Sequence, residues 1–227
     1  MDASLPQLPV LSYSALNTYL TCPRRFHHMY VLKDLPREEK SKEQLEGTAA
    51  HEALKKRMRL GEPLPERYQA YEPICRELFT EPCVKWTEQK FGMTHDGKPC
   101  DFFADNVWLR GACDLALVAS PRSMLIDWKT GKKREDPFEL EVQALLLRTH
   151  WPDIEMVIGH YVWLRGPYLG AAHNCSDTDF TLRRIRTIKE NMNYRLAAND
   201  WPADEGPLCG WCPVSKDKCE HKRERDP

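Results

Sequence analysis

The segment LIDWKTGKK, residues 125–133, carries an acidic and a basic residue at the end of an apolar run. Asp127 and Lys129 are two positions apart, so their side chains lie on one face if the segment is a β-strand. Thr130 and Gly131 then end the strand pattern. A solvated ion pair is the simplest interpretation, and half of a metal-dependent hydrolytic site is the alternative.

A second acidic residue favours the hydrolytic alternative. Asp114, in the segment RGACDLAL, precedes Asp127 by thirteen residues, and a turn around residues 120–123 separates the two predicted strands. If these strands form a hairpin, the two carboxylates approach each other on one face, and a divalent cation relieves their repulsion. Mg²⁺ prefers such oxygen ligands, polarises a phosphoryl oxygen and lowers the pKa of a bound water. Lys129 would then orient the water or stabilise the developing charge.

The rest of the pattern predicts an α/β sandwich with a small mixed sheet. Helical periodicity and capping signals predict helices at residues 11–32, 46–60, 136–150 and 181–199. Alternating or continuous apolar runs predict strands at residues 84–93, 106–119, 123–130 and 156–164. Ser12 or Ser14 is the expected N-cap of the first helix, and residues 37–44 are expected to form a charged, mobile connector.

Composition restricts the class of protein. The 227 residues are 41% hydrophobic, which allows a core, and the net charge of -1 means that nucleic acid must be bound by a local basic patch. The sequence has no run of 18 apolar residues and no secretory signal, so we expect no membrane contact and a cytoplasmic location in a microbe or a phage-infected cell. In that reducing compartment, the nine cysteines favour metal binding over disulfides.

GACD at residues 111–114, followed by IDWKTG at residues 126–131, resembles the core of the PD-(D/E)XK nuclease superfamily. GTAAH at residues 47–51, Gln143, and LSYSALNTYLTCPRRF at residues 11–26 resemble the RecB-like branch. That branch includes the nuclease domains of bacterial recombination helicases and the CRISPR-associated exonucleases.

The resemblance spans the chain from Leu11 to Cys219 and implies one nuclease domain over residues 1–227. Its restriction-endonuclease-like core, a small mixed sheet flanked by helices, would occupy residues 46–165. An N-terminal helical segment and a C-terminal segment, joined by a cysteine cluster, would occupy residues 11–35 and 180–222.

The same resemblance implies a role for each matching residue. The implied ligands of Mg²⁺ or Mn²⁺ are His51, Asp114, Asp127 and the backbone carbonyl of Trp128. Lys129 would be the catalytic lysine, and Gln143 would orient that lysine or the DNA end. Glu88 falls where relatives often carry an acid, and Leu147 replaces the tyrosine usual four residues after the glutamine. Without the resemblance, a lone helical histidine such as His51 is more often a surface or core residue.

Three cysteines near the C-terminus have the spacing C-x2-C-x6-C, at Cys209, Cys212 and Cys219. The resemblance adds Cys22 as the fourth ligand of a 4Fe-4S cluster, which thiolates bind. Such a cluster would join the first helix to the C-terminal segment, so its loss should loosen the fold. A zinc site, made of four cysteines or of three with His221, and unligated thiols are the alternatives. The other cysteines are expected to be core or incidental thiols.

Basic residues cluster near the proposed ligands, at Arg24 and Arg25, at Lys132 and Lys133, and along residues 183–189. Such residues bind phosphates without reading sequence, although a solvated helix face is an alternative for the last group. The sequence carries no base-reading motif, which favours cutting at ends or at particular DNA structures.

Together with the resemblance, these features predict a metal-dependent DNA exonuclease of recombination, repair or DNA processing. Its expected substrate is single-stranded DNA or DNA ends, cut from 5′ to 3′. A structure-specific endonuclease, a non-catalytic DNA-end-binding module and a structural metal protein are the alternatives. Recombination or CRISPR-type proteins are the expected partners, and a homo-oligomer stays open because some relatives form rings.

Overall fold

A computed structural model of the chain describes residues 7–36, 41–131, 136–164, 166 and 168–223. The chain divides into two compact units, and the division falls within its last long helix. One unit is Glu39–Leu182, and we call it the sheet unit. The other comprises Met1–Glu38 and Arg183–Pro227, and we call it the terminal unit. The predicted organisation as one nuclease domain stays a prediction.

The sheet unit is built on a mixed sheet, as the sequence predicts, but the sheet has seven strands where four were predicted. Its strands are β1 (Val84–Thr94), β2 (Pro99–Cys100), β3 (Val107–Ala119), β4 (Arg122–Lys129), β5 (Met156–Trp163), β6 (Tyr168–Leu169) and β7 (His173–Asn174). The strand order is β2-β1-β3-β4-β5-β6, and β7 pairs with β5. β3 and β4 form the predicted antiparallel hairpin, and the pairing of β4 with β5 is parallel.

The helices of the chain are α1 (Tyr13–Thr21), α2 (Pro23–Phe26), α3 (Lys42–Leu60), α4 (Glu72–Thr80), α5 (Phe138–His150) and α6 (Thr178–Ala198). A π-helical segment, His27–Leu32, follows α2, and short 3₁₀ segments occur at Glu66–Tyr71 and Cys209–Trp211. None of the described helices is both long and apolar enough to cross a membrane.

Helices α3 and α4 share a hydrophobic core with the central strands, which includes Leu54 and Met58 of α3, Leu115 of β3 and Trp128 of β4. Helix α5 also packs closely on the sheet, because a Cβ at Gly111 of β3 would lie 2.9 Å from Leu146 Cδ1. The close packing of such a core holds β3 and β4 in fixed positions. Asp114 lies in the middle of β3, and Asp127 and Lys129 lie at the end of β4.

Two local predictions are wrong. Residues 41–44 do not belong to a connector, because Ser41 caps α3 through a capping box. Gln44 N donates to Ser41 Oγ at 3.3 Å, and Ser41 N donates to Gln44 Oε1 at 2.9 Å. The S-x-x-Q spacing that signals this box is present in the sequence. Residues 37–40 of the predicted connector lie outside the described residues. The second wrong prediction is the continuous helix over residues 11–32, because Cys22 is extended, with φ of -165°, and separates α1 from α2. Helix α4 was not predicted.

The terminal unit is held by an aromatic cluster. The rings of Tyr19, Phe26 and Trp201 contact one another edge-on or tilted, and the His27 ring stacks on Trp201 at 4.7 Å. Arg24 Nε donates to the Trp201 carbonyl at 3.1 Å. Helix α1 begins at the predicted N-cap, where Ala15 N donates to Ser12 Oγ at 3.3 Å. These contacts bring Cys22 close to the C-terminal cysteines of the same unit.

Candidate active site

One group of metal-ligating side chains stands out among the described residues. His51 of α3, Glu88 of β1 and Asp114 of β3 each offer a ligand atom, and these atoms lie within 4.8 Å of one another. His51 Nδ1 is 3.4 Å from Asp114 Oδ1. One nitrogen and several carboxylate oxygens form a donor set that suits Mn²⁺ or Mg²⁺.

Asp114 is placed where β3 and β4 separate. The last pair of the two strands is Leu115 with Ile126, and Asp114 and Asp127 are the next residues beyond that pair on each strand. The carboxylate of Asp114 then takes the place of a backbone acceptor, because Trp128 N donates to Asp114 Oδ2 at 2.8 Å. This bond fixes one carboxylate oxygen and leaves the other turned towards His51.

Glu88 has an unusual backbone conformation for a strand residue, with φ of 52°. Trp86 and Phe91 both contact the ring of Trp151, at 5.5 and 5.7 Å, although side chains five positions apart on a regular strand lie on opposite faces. The alternation of β1 therefore changes phase between them, and Glu88 is the left-handed residue in that stretch. Left-handed non-glycine residues are strained and concentrate at functional sites.

A second group of charged residues lies beside the first. Lys129 Nζ is 2.6 Å from Asp127 Oδ2 and 2.6 Å from Glu139 Oε2. The predicted pair of Asp127 and Lys129 therefore has a third charged member, Glu139 of α5. Glu139 was missed by the sequence reasoning. The available signal was its position four residues before Gln143, which puts both side chains on one face of α5.

Burial and charge shift the pKa values of both groups. Burial, together with the charges of Glu139 and Asp114, raises the pKa of Asp127 to about 7. Burial alone would lower the pKa of Lys129, but the carboxylates of Asp127 and Glu139 outweigh it and raise that pKa. Burial and Asp114 raise the pKa of Glu88. Crowded carboxylates of this kind are compensated by a bound cation, so the residues fit a divalent metal.

The structure gives Gln143 a partner different from those expected. Its Nε2 donates to Asp127 Oδ1 at 3.0 Å, so it holds Asp127, and its expected role towards Lys129 or the DNA end stays a prediction. Its Oε1 is buried and has no hydrogen-bond partner among the described residues. Leu147, one turn further along α5, is fully buried, so its side chain fills the core. The aromatic ring nearest the lysine is that of Tyr161 on β5, with Lys129 Nζ 5.4 Å from its centre.

The implied metal ligands are therefore only partly brought together. His51 and Asp114 lie in one group with Glu88, whereas Asp127 is held by Lys129 and Gln143. Trp128 pairs with Val162 of β5. The role of its carbonyl stays a prediction.

All four predicted cluster cysteines, Cys22, Cys209, Cys212 and Cys219, line one cavity of about 240 Å³ in the terminal unit. All four are free thiols. Arg25 N and Gly206 N point at the sulfurs of Cys22 and Cys209, at 3.5 and 3.4 Å. Backbone N–H groups of this kind stabilise metal-bound thiolates.

The predicted DNA-binding residues have different surroundings. Arg24 is engaged inside the terminal unit, where it pairs with Glu220 and bonds the Trp201 carbonyl. Arg25 lines the cysteine cavity. Lys132 and Lys133 lie outside the described residues. Lys90 and Arg110, which lie two and four residues from Glu88 and Asp114, were not predicted as DNA-binding residues.

Comparison with known proteins finds a match between residues 10–91 and the family model of the PD-(D/E)XK nuclease superfamily. The match contains His51 and Glu88 and covers a little over a third of the chain. The mixed sheet with flanking helices is consistent with the fold of that superfamily. A search of curated proteins finds no significant match.

Among solved structures, one titled "Crystal structure of SSO0001" aligns with 94% of this chain and 87% of its own. The sequence identity is 14% and the TM-score is 0.44, a similarity too weak to assign fold or function.

Proposed function

We propose that the chain is a metal-dependent deoxyribonuclease that hydrolyses phosphodiester bonds. The observation that carries the proposal is the group of His51, Glu88 and Asp114 beside the Asp127–Lys129 pair. A non-catalytic DNA-binding module needs neither a strained acid nor a half-buried lysine between two carboxylates. The match of residues 10–91 to a nuclease superfamily supports the same class of reaction.

His51, Glu88 and Asp114 would hold the Mg²⁺ or Mn²⁺ ion, with Asp127 next to them. A divalent ion bound there would polarise a phosphoryl oxygen and lower the pKa of a bound water. The other groups act through position and charge. Because two carboxylates raise its pKa, Lys129 remains an ammonium ion at neutral pH and stabilises negative charge that develops on the phosphate. Glu139 and Asp127 hold its Nζ from two sides, and Gln143 fixes Asp127.

The finer proposal is an exonuclease that degrades single-stranded DNA or DNA ends from 5′ to 3′, in recombination, repair or DNA processing. It is supported by the resemblance of GTAAH, GACD and IDWKTG to the RecB-like branch. Recombination or CRISPR-type partners and a homo-oligomer belong to the same proposal. A structure-specific endonuclease is the second candidate.

We also propose that Cys22, Cys209, Cys212 and Cys219 bind a 4Fe-4S cluster. The four thiols line one cavity, whereas a single Zn²⁺ ion with bonds of about 2.3 Å needs all its ligands within a few ångströms of one another. Among the described residues, the mutual spacing of 4.8 Å is reached by the His51 group and by no three of these thiols. A zinc site remains the alternative.

The test is digestion of end-labelled linear and circular single-stranded DNA with Mn²⁺, using anaerobically purified protein. We expect the linear DNA to be degraded and the circle to survive. The Lys129→Ala variant should be inactive, and Lys56→Ala, which removes an exposed lysine of α3, should behave as the wild type. Cutting of circles would establish the endonuclease instead. If neither substrate is cut with Mn²⁺ or Mg²⁺, the nuclease proposal is wrong and the DNA-binding module replaces it.

A further inference from the structure

The loop between β2 and β3 carries two adjacent aromatic residues, the half-buried Phe102 and the exposed Phe103. Phe102 and Phe103 contact each other edge to face at 4.8 Å, and Phe103 is 74% exposed. Arg110 of β3 lies over the Phe102 ring at 4.9 Å, and Lys90 of β1 lies over the same ring at 5.5 Å. Both cations also reach the Phe103 ring, at 5.8 and 5.6 Å. We call these four residues the aromatic platform.

The platform is held in place by the backbone. A Cβ at Gly92 would lie 2.6 Å from the Asp101 carbonyl oxygen, so only glycine allows the loop to cross β1 at this point. Two turns then fix the loop, because Ala104 N donates to the Asp101 carbonyl and Val107 N to the Ala104 carbonyl, each at 3.1 Å. The rings are therefore presented in a fixed position before any ligand binds, which lowers the entropic cost of binding.

The cations of the platform are available to a ligand. Among the described residues, neither Lys90 nor Arg110 has a carboxylate within ion-pair distance. Asp101 lines the same shallow depression as Lys90 and the two rings, so one carboxylate stands against two cations. A solvent-exposed phenylalanine beside Lys90 and Arg110 buries little apolar surface, so folding alone explains it poorly.

The platform lies on the same face of the sheet as the metal-ligating group. Gly111 of β3 faces Leu146 of α5, so its neighbour Arg110 points to the opposite face, where Asp114 faces His51 of α3. Phe91 of β1 packs on Trp151, which follows α5, so its neighbour Lys90 points to the same face as Arg110. Lys90 pairs with Ala112 and Gly92 with Arg110, so these residues form successive rows that lead away from the Glu88 and Asp114 carboxylates. Four residues of a strand span about 13 Å. A nucleic-acid strand with a rise of about 3.4 Å covers that distance in about four nucleotides, and an extended strand needs fewer.

We propose that the aromatic platform binds the single-stranded part of a nucleic-acid substrate, a few nucleotides from the bond that is cut. A base stacks on the exposed face of Phe103, and Lys90 and Arg110 contact the flanking phosphates. Stacking on aromatic rings combined with phosphate contacts binds single strands without reading their sequence. The inference rests on the proposed nuclease function, but it concerns binding and is tested without cleavage.

The experiment measures the anisotropy of a fluorescein-labelled oligothymidylate titrated with full-length protein in EDTA, where no metal-dependent cutting occurs. We expect Phe103→Ala and Phe103→Leu to weaken binding about tenfold and Phe103→Trp to retain it, because stacking needs an aromatic face. The matched control is Phe180→Ala, which removes a phenylalanine that is 52% exposed elsewhere in the sheet unit. It should bind as the wild type.

A second series tests the cations. Each of Lys90→Ala and Arg110→Ala should reduce the slope of log affinity against log salt concentration by about 0.7, the value for one phosphate contact on a single strand. Arg59→Ala, which removes an exposed arginine of α3, should leave the slope unchanged. Circular dichroism of each variant identifies any loss of folding, and Phe103→Leu serves as the second variant if Phe103→Ala fails to fold.

The outcomes separate this inference from the nuclease proposal. Loss of binding in the Phe103 variants, with rescue by tryptophan, supports the platform even if the wild-type protein cuts nothing. Unchanged binding in Phe103→Ala and Phe103→Leu overturns the platform even if the protein degrades DNA, and a protein-docking role would then explain the exposed rings. Failure of the wild type to bind the oligonucleotide also overturns it.

Discussion

Lys129 owes its position to two carboxylates on different elements, Asp127 on β4 and Glu139 on α5. A lysine held this way differs from a solvated ion pair, because its ammonium cannot turn into solvent without leaving the buried Asp127 and the half-buried Glu139 unpaired. We expect Lys129→Ala to lower kcat by about 10²–10³-fold with little change in KM, as for the loss of a group that stabilises developing charge. Glu139→Gln keeps Lys129 but removes the carboxylate charge on one side of its ammonium group.

The glutamine variant should therefore lose less activity, about tenfold, which corresponds to roughly 1.4 kcal/mol of positioning. Steady-state kinetics on linear single-stranded DNA measures both variants. Equal losses in the two variants would mean that Glu139 does more than position Lys129. No loss in Glu139→Gln would mean that Asp127 alone is sufficient.

Asp127 makes the metal-free protein less stable at neutral pH. Burial raises its folded-state pKa to about 7 from an ordinary value of 3.8, so the folded state binds its proton more tightly than the unfolded state does. Stability from this group is therefore present at low pH and is lost as pH rises from about 4 towards 7. We expect Asp127→Asn to stabilise the metal-free protein at pH 8 by roughly 1–3 kcal/mol and to abolish cutting.

Urea denaturation in EDTA at pH 5 and pH 8 tests this prediction. The stabilisation should be larger at pH 8 than at pH 5, because the wild-type carboxyl is largely neutral at the lower pH. The asparagine oxygen can still accept the hydrogen bond from Gln143, so the packing is matched. If the variant is less stable than the wild type at both pH values, the charge of Asp127 does not destabilise the metal-free protein.

In β1, the alternation of side chains between the two faces of the sheet changes at Glu88. This change directs the Glu88 carboxylate towards His51. With φ of 52°, this position favours glycine over every residue that carries a Cβ. We expect Glu88→Gly to be more stable than Glu88→Ala by about 1 kcal/mol, the reverse of the order at an ordinary strand position. Both variants lack the carboxylate, so both should bind Mn²⁺ more weakly than the wild type.

Chemical denaturation ranks the two variants, and calorimetric titration with Mn²⁺ compares their affinities. If alanine proves the more stable, the left-handed conformation is not intrinsic to the strand. If Mn²⁺ affinity is unchanged, Glu88 is not a ligand, and its conformation needs another explanation.

Elements with strong periodicity were predictable from the sequence, and contacts between distant elements were not. The run of apolar residues in α5 and the alternation of β3 were sufficient for both elements. Helix α4 was missed because its short 72–80 segment has a proline at its start and only a few apolar residues, Ile74, Cys75 and Leu78 among them. The pairing of Glu139 with Lys129 depends on how α5 packs against β4, which no local pattern encodes.

The two acids of the β3–β4 hairpin show the same limit at closer range. Their proximity followed from the spacing of Asp114 and Asp127, but their separate roles did not. Asp114 bonds a backbone N–H and faces His51, whereas Asp127 is buried with Gln143. That division arises where the two strands part, a feature set by packing on both faces of the sheet.

At the scale of the whole molecule, the cysteine cavity predicts that metal content and stability are linked. The terminal unit contains no strand among its described residues, and it draws its order from helices, aromatic contacts and the segment that carries the three C-terminal cysteines. A cluster bound to Cys22 and to that segment would close a long loop of chain, and closing long loops stabilises the folded state most. We expect Cys219→Ser to lose iron and acid-labile sulfide together and to lower Tm by several degrees.

The matched control is Cys100→Ser, a half-buried thiol of β2 that lies in the sheet unit. It should keep the full iron content and the wild-type Tm. Hydrogen exchange should locate the loosening caused by Cys219→Ser in residues 13–32 and 199–223 and leave β3 and β4 protected, because folding units open separately. Zinc in place of iron, at one ion per chain, would assign the cavity to the alternative metal. Equal stability of the two variants would mean that the four thiols bind no structural metal.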